Sequence, residues 1–245
     1  MKKNRWFPFE NEGHSSDKVL FCFHHAGGTA SIYRNWMKWS EEIQVMPVEL
    51  PGKATRIGEP YAEDIEVVAK EISEEIAKAA EEKKIWLYGH SMGAVLAFLV
   101  AYNLERESIK VQKLIVSGRH APKDTIAETY QTYMGDEVLI DELKRVGGTP
   151  KEFLENEEIL KIIIPPLKAD YKLNESYAYS GQKVKCNILG FAGTMDEDAP
   201  ISIMEGWKNV TTGKFTLRQI EGNHFFPIER GHSFWEEIES EIIDK

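Results

Sequence analysis

Ser91 stands in the run YGHSMGAVLAFLVAY, with Gly89 two residues before it and Gly93 two residues after it. A serine hydroxyl is a poor nucleophile until a base removes its proton, and that base must be oriented by a third group. The G-x-S-x-G spacing suits a serine raised on a sharp strand-to-helix turn, where neighbours two positions away must lack colliding side chains. The chemistry this implies is attack on an acyl carbonyl through an acyl-enzyme.

The base and acid are sought just after later strands, because ligands and catalytic groups of a parallel α/β sheet gather at its carboxyl edge. His224 follows FTLRQIEG, and Asp196 and Asp198 follow NILGFAG. The chain order Ser, Asp, His is that of an α/β-hydrolase triad. The other histidines compete for the base. His90 should point away from its neighbour Ser91, and His24, His25 and His120 either line the pocket or pack structurally. His14 and His232 read as surface residues, which leaves His224 favoured by position. Asp196 lies three residues after Gly193, where a tight turn aims its carboxylate back at His224. Asp198 is the alternative acid, and Glu197 reads as solvated. The oxyanion needs backbone N–H donors. These are expected from Met92, directly after the nucleophile, and from Ala26 in the loop HHAGG, with Gly27 and Gly28 permitting close approach.

The elements that must hold these groups follow from periodicity. Strands are expected at 18–23, 43–50, 85–88, 111–118, 185–193 and 215–222, and helices around 30–41, 61–83, after Ser91, near 201–209 and at 229–243. Within 61–83, Ile65, Val68, Ala69, Ile72, Ile76 and Ala79 mark one apolar face of a helix. This alternation implies an α/β fold with a mostly parallel sheet covered on both faces. It breaks between 118 and 185, a gap longer than a crossover needs. There DEVLIDELKRV and KEFLENEEILKIII read as helices, the second stopped by Pro165-Pro166. Residues 1–245 are therefore expected to form a single domain with a helical lid inserted at about 123–181. Ile163 and Ile164 in ILKIIIPPL are expected to line the acyl site, with core packing of the lid as the competing account.

A chain of 245 residues can bury a sizeable core, and its formal net charge of −10 argues against general affinity for nucleic acid or anionic membrane. The longest apolar run, Val95 to Tyr102, is too short to span a bilayer. The opening MKKNRWFPFENEG lacks the apolar core of a secretory signal. Cys22 and Cys186 lie in apolar, strand-like stretches and are expected as buried reduced thiols, consistent with a cytoplasmic location. No metal or cofactor is expected.

Five segments together resemble one family: FCFHHAGGTASIYRNW, YGHSMGAVLAFLVAYNLE, SGRHAP, GGTPKEFLENEEILKIIIPPLKADYKLNESY and EGNHFF. Over nearly the full length they are similar to the type II thioesterases of nonribosomal peptide and polyketide synthesis. The resemblance implies an α/β-hydrolase with a mobile helical lid, hydrolysing acyl or aminoacyl groups wrongly loaded on the phosphopantetheine arm of a carrier protein. By position, Ser91 matches the family nucleophile, His224 the base, Asp196 the acid, and Ala26 and Met92 the oxyanion-hole residues. The resemblance implies an acyl or peptidyl carrier domain as partner and a monomeric enzyme. HHAGG departs from the aromatic or proline that many members carry before Ala-Gly-Gly, which bears on pocket shape rather than on the donors. Rival readings are a medium-chain fatty acyl thioesterase, separated by acyl length, and a carboxylesterase, separated by preference for oxygen esters. A non-catalytic hydrolase-fold binding protein would not require the intact Ser/Asp/His set. Dehalogenase and epoxide hydrolase chemistry would need aspartate at position 91.

Overall fold

The computed structural model describes residues 4–9, 15–124 and 130–243. His14 and residues 125–129 of the expected lid lie outside them. Among the described residues, six strands, β1 (Lys18–Phe23), β2 (Gln44–Pro47), β3 (Lys84–His90), β4 (Val111–Ser117), β5 (Asn187–Gly193) and β6 (Phe215–Ile220), form one sheet in the order β2-β1-β3-β4-β5-β6. Every pairing is parallel.

The sheet is apolar on both faces, as burial by helices on each side requires. Val19, Phe21, Ile85 and Leu87 point into one core, while Leu20, Cys22, Trp86 and Tyr88 point into the other. The first core is covered by α2 (Ile65–Ala80) and α3 (Met92–Arg106), the second by α1 (Trp36–Trp39) and α9 (His232–Ile243). Helix α3 is buried throughout Met92 to Ala101 because it lies between the sheet and α2. Helix α2 begins where Asp64 caps it, accepting from the N–H groups of Glu66 and Val67. Its buried stripe ends on Ala80, with Ala79 exposed, one position from the expectation.

Three other elements differ from the sequence reading. Residues 30–41 form a short 3-10 turn, Ala30–Tyr33, and then α1, in place of one helix. The 201–209 helix is α7 (Ile201–Met204) followed by a 3-10 turn, and the last helix, expected at 229–243, is α9, preceded by a separate short α8 (Phe226–Glu229) that was not expected. Gly231, at φ 52°, makes the turn between them.

Between β4 and β5 lie α4 (Asp136–Val146), α5 (Lys151–Leu154) and α6 (Glu157–Glu175). The expected single helix KEFLENEEILKIII is interrupted because Asn156 caps a new start, accepting from the N–H groups of Glu158 and Ile159. Pro165 and Pro166 do not stop α6, which continues through both to Glu175. Each proline removes an N–H donor and strains the preceding turn. Burial of Ile164 before them and of Leu167, Asp170 and Leu173 after them holds the helix together across the prolines. This segment has a small core of its own, in which Tyr130, Leu139, Leu143, Leu154, Ile164 and Leu167 pack against Ala26 of the sheet domain. Cys22 and Cys186 are both free and buried. Among the described residues, no helix is long and apolar enough to cross a membrane.

Candidate active site

Strand β3 ends at His90, and α3 begins at Met92, leaving Ser91 alone to turn the chain. Its φ of 54° and ψ of −121° are a conformation that a non-glycine residue adopts only under constraint. The constraint is packing: a Cβ on Gly89 would lie 2.1 Å from the Gly93 carbonyl oxygen, and one on Gly93 would lie 2.2 Å from that of Phe23. Both glycines are thus demanded by backbone contact. The Ser91 N–H donates to the Ser117 carbonyl at 2.9 Å, fixing the turn against β4. The serine sits at the N-terminus of α3, where the helix dipole favours negative charge.

His224 and Asp196 arrive from the ends of β6 and β5. The two loops are tied together, since the Thr194 N–H donates to the Ile220 carbonyl at 2.8 Å and the Met195 N–H to that of Gly222 at 2.9 Å. His224 Nδ1 then meets Asp196 Oδ2 at 3.0 Å. The other carboxylate oxygen accepts from the N–H groups of Asp198 at 3.1 Å and Ala199 at 3.2 Å. Burial alone would push the Asp196 carboxyl up, but the bond from His224 and the two backbone donors hold it below the usual carboxylate range. The two aspartates that the sequence left as alternatives have different partners, and Arg145 of α4 is that of Asp198. It takes Asp198 in an ion pair, at 2.8 Å and 3.0 Å to its two oxygens, leaving Asp196 to orient His224. Burial raises the Asp198 carboxyl, and the Arg145 guanidinium opposes that shift.

Ala26, Ser91, Met92, Asp198 and His224 line one cavity of about 250 Å³. Its roof comes from the inserted helices and the segment before them, through Tyr130, Glu142, Val146 and Tyr171. No hydrogen bond joins the Ser91 hydroxyl to His224 in this arrangement among the described residues. Such contacts commonly tighten only when substrate is bound. Met92 and Ala26, the residues from which oxyanion donors are expected, both line this cavity. Met92 is the first residue of α3, so its N–H has no acceptor within the helix. In HHAGG, the Gly28 N–H is used by the His25 carbonyl at 3.0 Å and the Gly27 N–H by Asp170 Oδ2 at 2.7 Å. The Ala26 N–H has no acceptor among the described residues. Asp170 comes from α6 and forms a buried ion pair with Lys53. Nothing in the local sequence of either residue signals this, because 117 residues separate them.

The remaining histidines are sorted by burial. His24 and His90 are held well below the usual imidazole range, chiefly by desolvation, and His25 is lowered to about 3 for the same reason with help from nearby positive charge. Such rings stay neutral and are poor proton acceptors. His90 points away from the cavity, its Nδ1 meeting Ser117 Oγ at 2.9 Å. His120 lines the cavity with Arg119, and His232 is exposed. Ile163 and Ile164 do not line the cavity. They belong to the small core of the inserted helices, as the competing account held. The donor atoms of Asp196, Asp198 and His224 lie within 4.8 Å of one another, but each is spent on an internal partner.

The thioesterase domain family matches residues 18–242. The chain belongs to that family. The thioesterase is 35% identical over 229 residues to linear gramicidin dehydrogenase LgrE of Brevibacillus parabrevis, covering 91% of this chain and 87% of that one. It is 32% identical over 230 residues to thioesterase PikA5 of Streptomyces venezuelae, covering 91% and 80% of the two chains. Although the first relative is named a dehydrogenase, this chain contains no G-x-G-x-x-G run of the kind that cradles a dinucleotide. Among solved structures, it is similar to YbtT, a type II thioesterase from the yersiniabactin NRPS/PKS pathway, solved as a serine-to-alanine mutant. The TM-score is 0.83 at 28% identity, over 97% of this chain and 96% of that one. This chain is therefore a serine hydrolase of the α/β-hydrolase fold, similar to thioesterases of peptide and polyketide assembly.

Proposed function

We propose that the thioesterase removes short acyl or aminoacyl groups from the phosphopantetheine arm of carrier proteins, regenerating misprimed nonribosomal peptide or polyketide synthetases. Ser91 Oγ attacks the thioester carbonyl while His224, held by Asp196 at Nδ1, accepts its proton at Nε2. The developing oxyanion takes the N–H groups of Ala26 and Met92, where preorganised donors act most strongly. Collapse breaks the C–S bond, and His224 returns the proton to the leaving thiol. Water then enters, loses a proton to His224 and attacks the acyl-serine. The acid leaves and Ser91 is restored. Nucleophile, base, acid and donors all come from the chain, so the proposed cycle draws on no metal or cofactor.

The observation that carries this reading is the convergence of Ser91, His224, Ala26 and Met92 on one small cavity. The cavity, of about 250 Å³, is lined by both apolar and polar side chains, among them Val146, Ile203, Tyr130 and Tyr171. Arg119, Glu142 and Asp198 give its wall polar character that an aminoacyl group can use. We place the enzyme in the cytoplasm as a monomer that meets its carrier through exposed apolar residues of the inserted helices, such as Phe153 and Ile162. A pocket for many small acyl groups supplies little selective energy, since one methylene contributes about 1–3 kcal/mol. Recognition then rests on the carrier and its arm.

The test compares an acetyl- or aminoacyl-carrier with the matching coenzyme A thioester, following release of the holo carrier by mass spectrometry. kcat/KM is expected to favour the carrier at least tenfold and to change little with added salt. Equal efficiency on both substrates would reject carrier recognition. Preference for medium or long acyl chains would favour the fatty acyl rival, and preference for oxygen esters the carboxylesterase.

A further inference from the structure

The triad accounts for Asp196, but a second carboxylate stands beside the same histidine. Asp198 has an oxygen within 4.8 Å of the donor atoms of both His224 and Asp196, and it lines the cavity with them. An unmasked negative charge at that distance would favour a proton on the His224 ring, and a protonated ring cannot accept the proton of Ser91. In this structure the charge is masked. Arg145 of α4 binds both Asp198 oxygens and is itself held by Glu142, whose carboxylate accepts from its Nε at 2.9 Å and its Nη2 at 2.7 Å. Glu142 is three residues earlier on the same helix, so the guanidinium's orientation travels with α4. Asp198, by contrast, belongs to the loop after β5.

We propose that Arg145 is a positioning residue which, by docking α4 onto Asp198, masks the carboxylate next to His224 and keeps the ring free to act as base. This rests on the assignment of His224 as base, and it makes base strength depend on the placement of the inserted helices. Movement of α4 off the loop uncovers Asp198 and biases the ring toward imidazolium. Docking of α4 over bound substrate sends that proton to solvent and arms the site. The other charged or titratable groups facing His224 are Asp196 on its own edge of the sheet, His25 after β1 and His90 on β3. Arg119, His120 and Glu197 face the same cavity. Of the groups named here, Arg145 and Glu142 are the two carried on α4 itself.

The test is the pH profile of kcat/KM on an acyl-carrier for the full-length enzyme, Arg145→Gln, Asp198→Asn and the double variant, with melting temperatures measured alongside. Arg145→Gln leaves Asp198 bare, so its acid limb is expected to move to higher pH by roughly half to one unit. Asp198→Asn removes the negative charge and leaves Arg145, so its limb is expected to move to lower pH. The double variant restores the net charge near His224, and its limb should return close to that of the parent. Added salt should shrink both shifts. A purely structural latch would lower kcat/KM equally at all pH values and leave the limb in place. That result, or movement of both single variants in the same direction, would overturn the proposal. Should either variant be unstable, an NMR titration of the His224 ring in the Ser91→Ala background gives the same comparison without turnover. Loss of activity in all variants with unmoved ring titration also overturns it. Absence of any His224-dependent acid limb in the parent would instead reject the base assignment beneath it.

Discussion

Replacing Asp196 with asparagine keeps the size of the side chain and alters one bond that matters. Oδ1 of Asp196 accepts from two backbone N–H groups, at 3.1 Å and 3.2 Å, and the amide oxygen of asparagine can occupy that position unchanged. The amide NH2 must then face His224 Nδ1, where Oδ2 now accepts at 3.0 Å. Two donors cannot share that contact, so Nδ1 becomes the acceptor and the ring proton moves to Nε2, the nitrogen that should take the proton of Ser91. Loss of the correct tautomer costs about 10⁴ in kcat, or ~5.5 kcal/mol of transition-state stabilisation. Because the fold around the loop keeps both backbone bonds, melting should shift by only a few degrees. The assay is single-turnover hydrolysis of an acyl-carrier by Asp196→Asn and Asp198→Asn, with circular dichroism melts. Asp198→Asn is expected to stay within about tenfold of the parent at neutral pH, since Asp198 pairs with Arg145 rather than with the ring. A loss below tenfold in Asp196→Asn, or a larger loss in Asp198→Asn, would refute the assignment of the acid.

Ser91→Ala should melt like the parent yet lose about 10⁶ in turnover, measured with an acyl-carrier, because the nucleophile is gone while the half-exposed hydroxyl holds little together. Gly93→Ala should fail to give soluble protein or melt far lower, since its Cβ would sit 2.2 Å from the Phe23 carbonyl oxygen with backbone on both sides. Asp170→Ala strands the Lys53 ammonium in the interior, where both side chains are nearly inaccessible, and should destabilise by about 3–5 kcal/mol in urea melts. The double change Lys53→Met with Asp170→Leu should recover more than half of that loss. Because the Asp196 carboxyl is lowered from its ordinary 3.8, its contribution to stability is fully present above that pH and is lost as pH falls through the lower folded value. Stability of the parent should therefore drop more steeply below pH 4 than that of Asp196→Asn.

Much of this protein was legible in its sequence because the deciding constraints are local. A strand followed by G-x-S-x-G and a long apolar run has few backbone solutions, and the structure meets them with Ser91 at φ 54° between two glycines that tolerate no side chain. Alternating strands and helices likewise left a parallel sheet as the economical way to bury both faces, and strand ends then put Asp196 and His224 on the edge with Ser91. What failed locally failed for a tertiary reason. Pro165 and Pro166 are helix breakers by propensity, yet α6 continues through them because Leu167, Asp170 and Leu173 are buried beyond the break.

The choice between Asp196 and Asp198 could not be made from spacing, since both follow the same strand by a few residues. In the structure Arg145 reaches Asp198 across 53 positions of chain, while Asp196 bonds to His224. The same holds for Asp170, which takes the Gly27 N–H from the inserted helices, while that of Ala26 has no acceptor among the described residues. Local sequence determined the turn that carries Ser91 and the strand ends that carry Asp196 and His224. Only the packing of distant segments decided which carboxylate faces the histidine and which N–H groups stay unpaired, because charge pairing and hydrogen-bond competition depend on distance in space rather than along the chain.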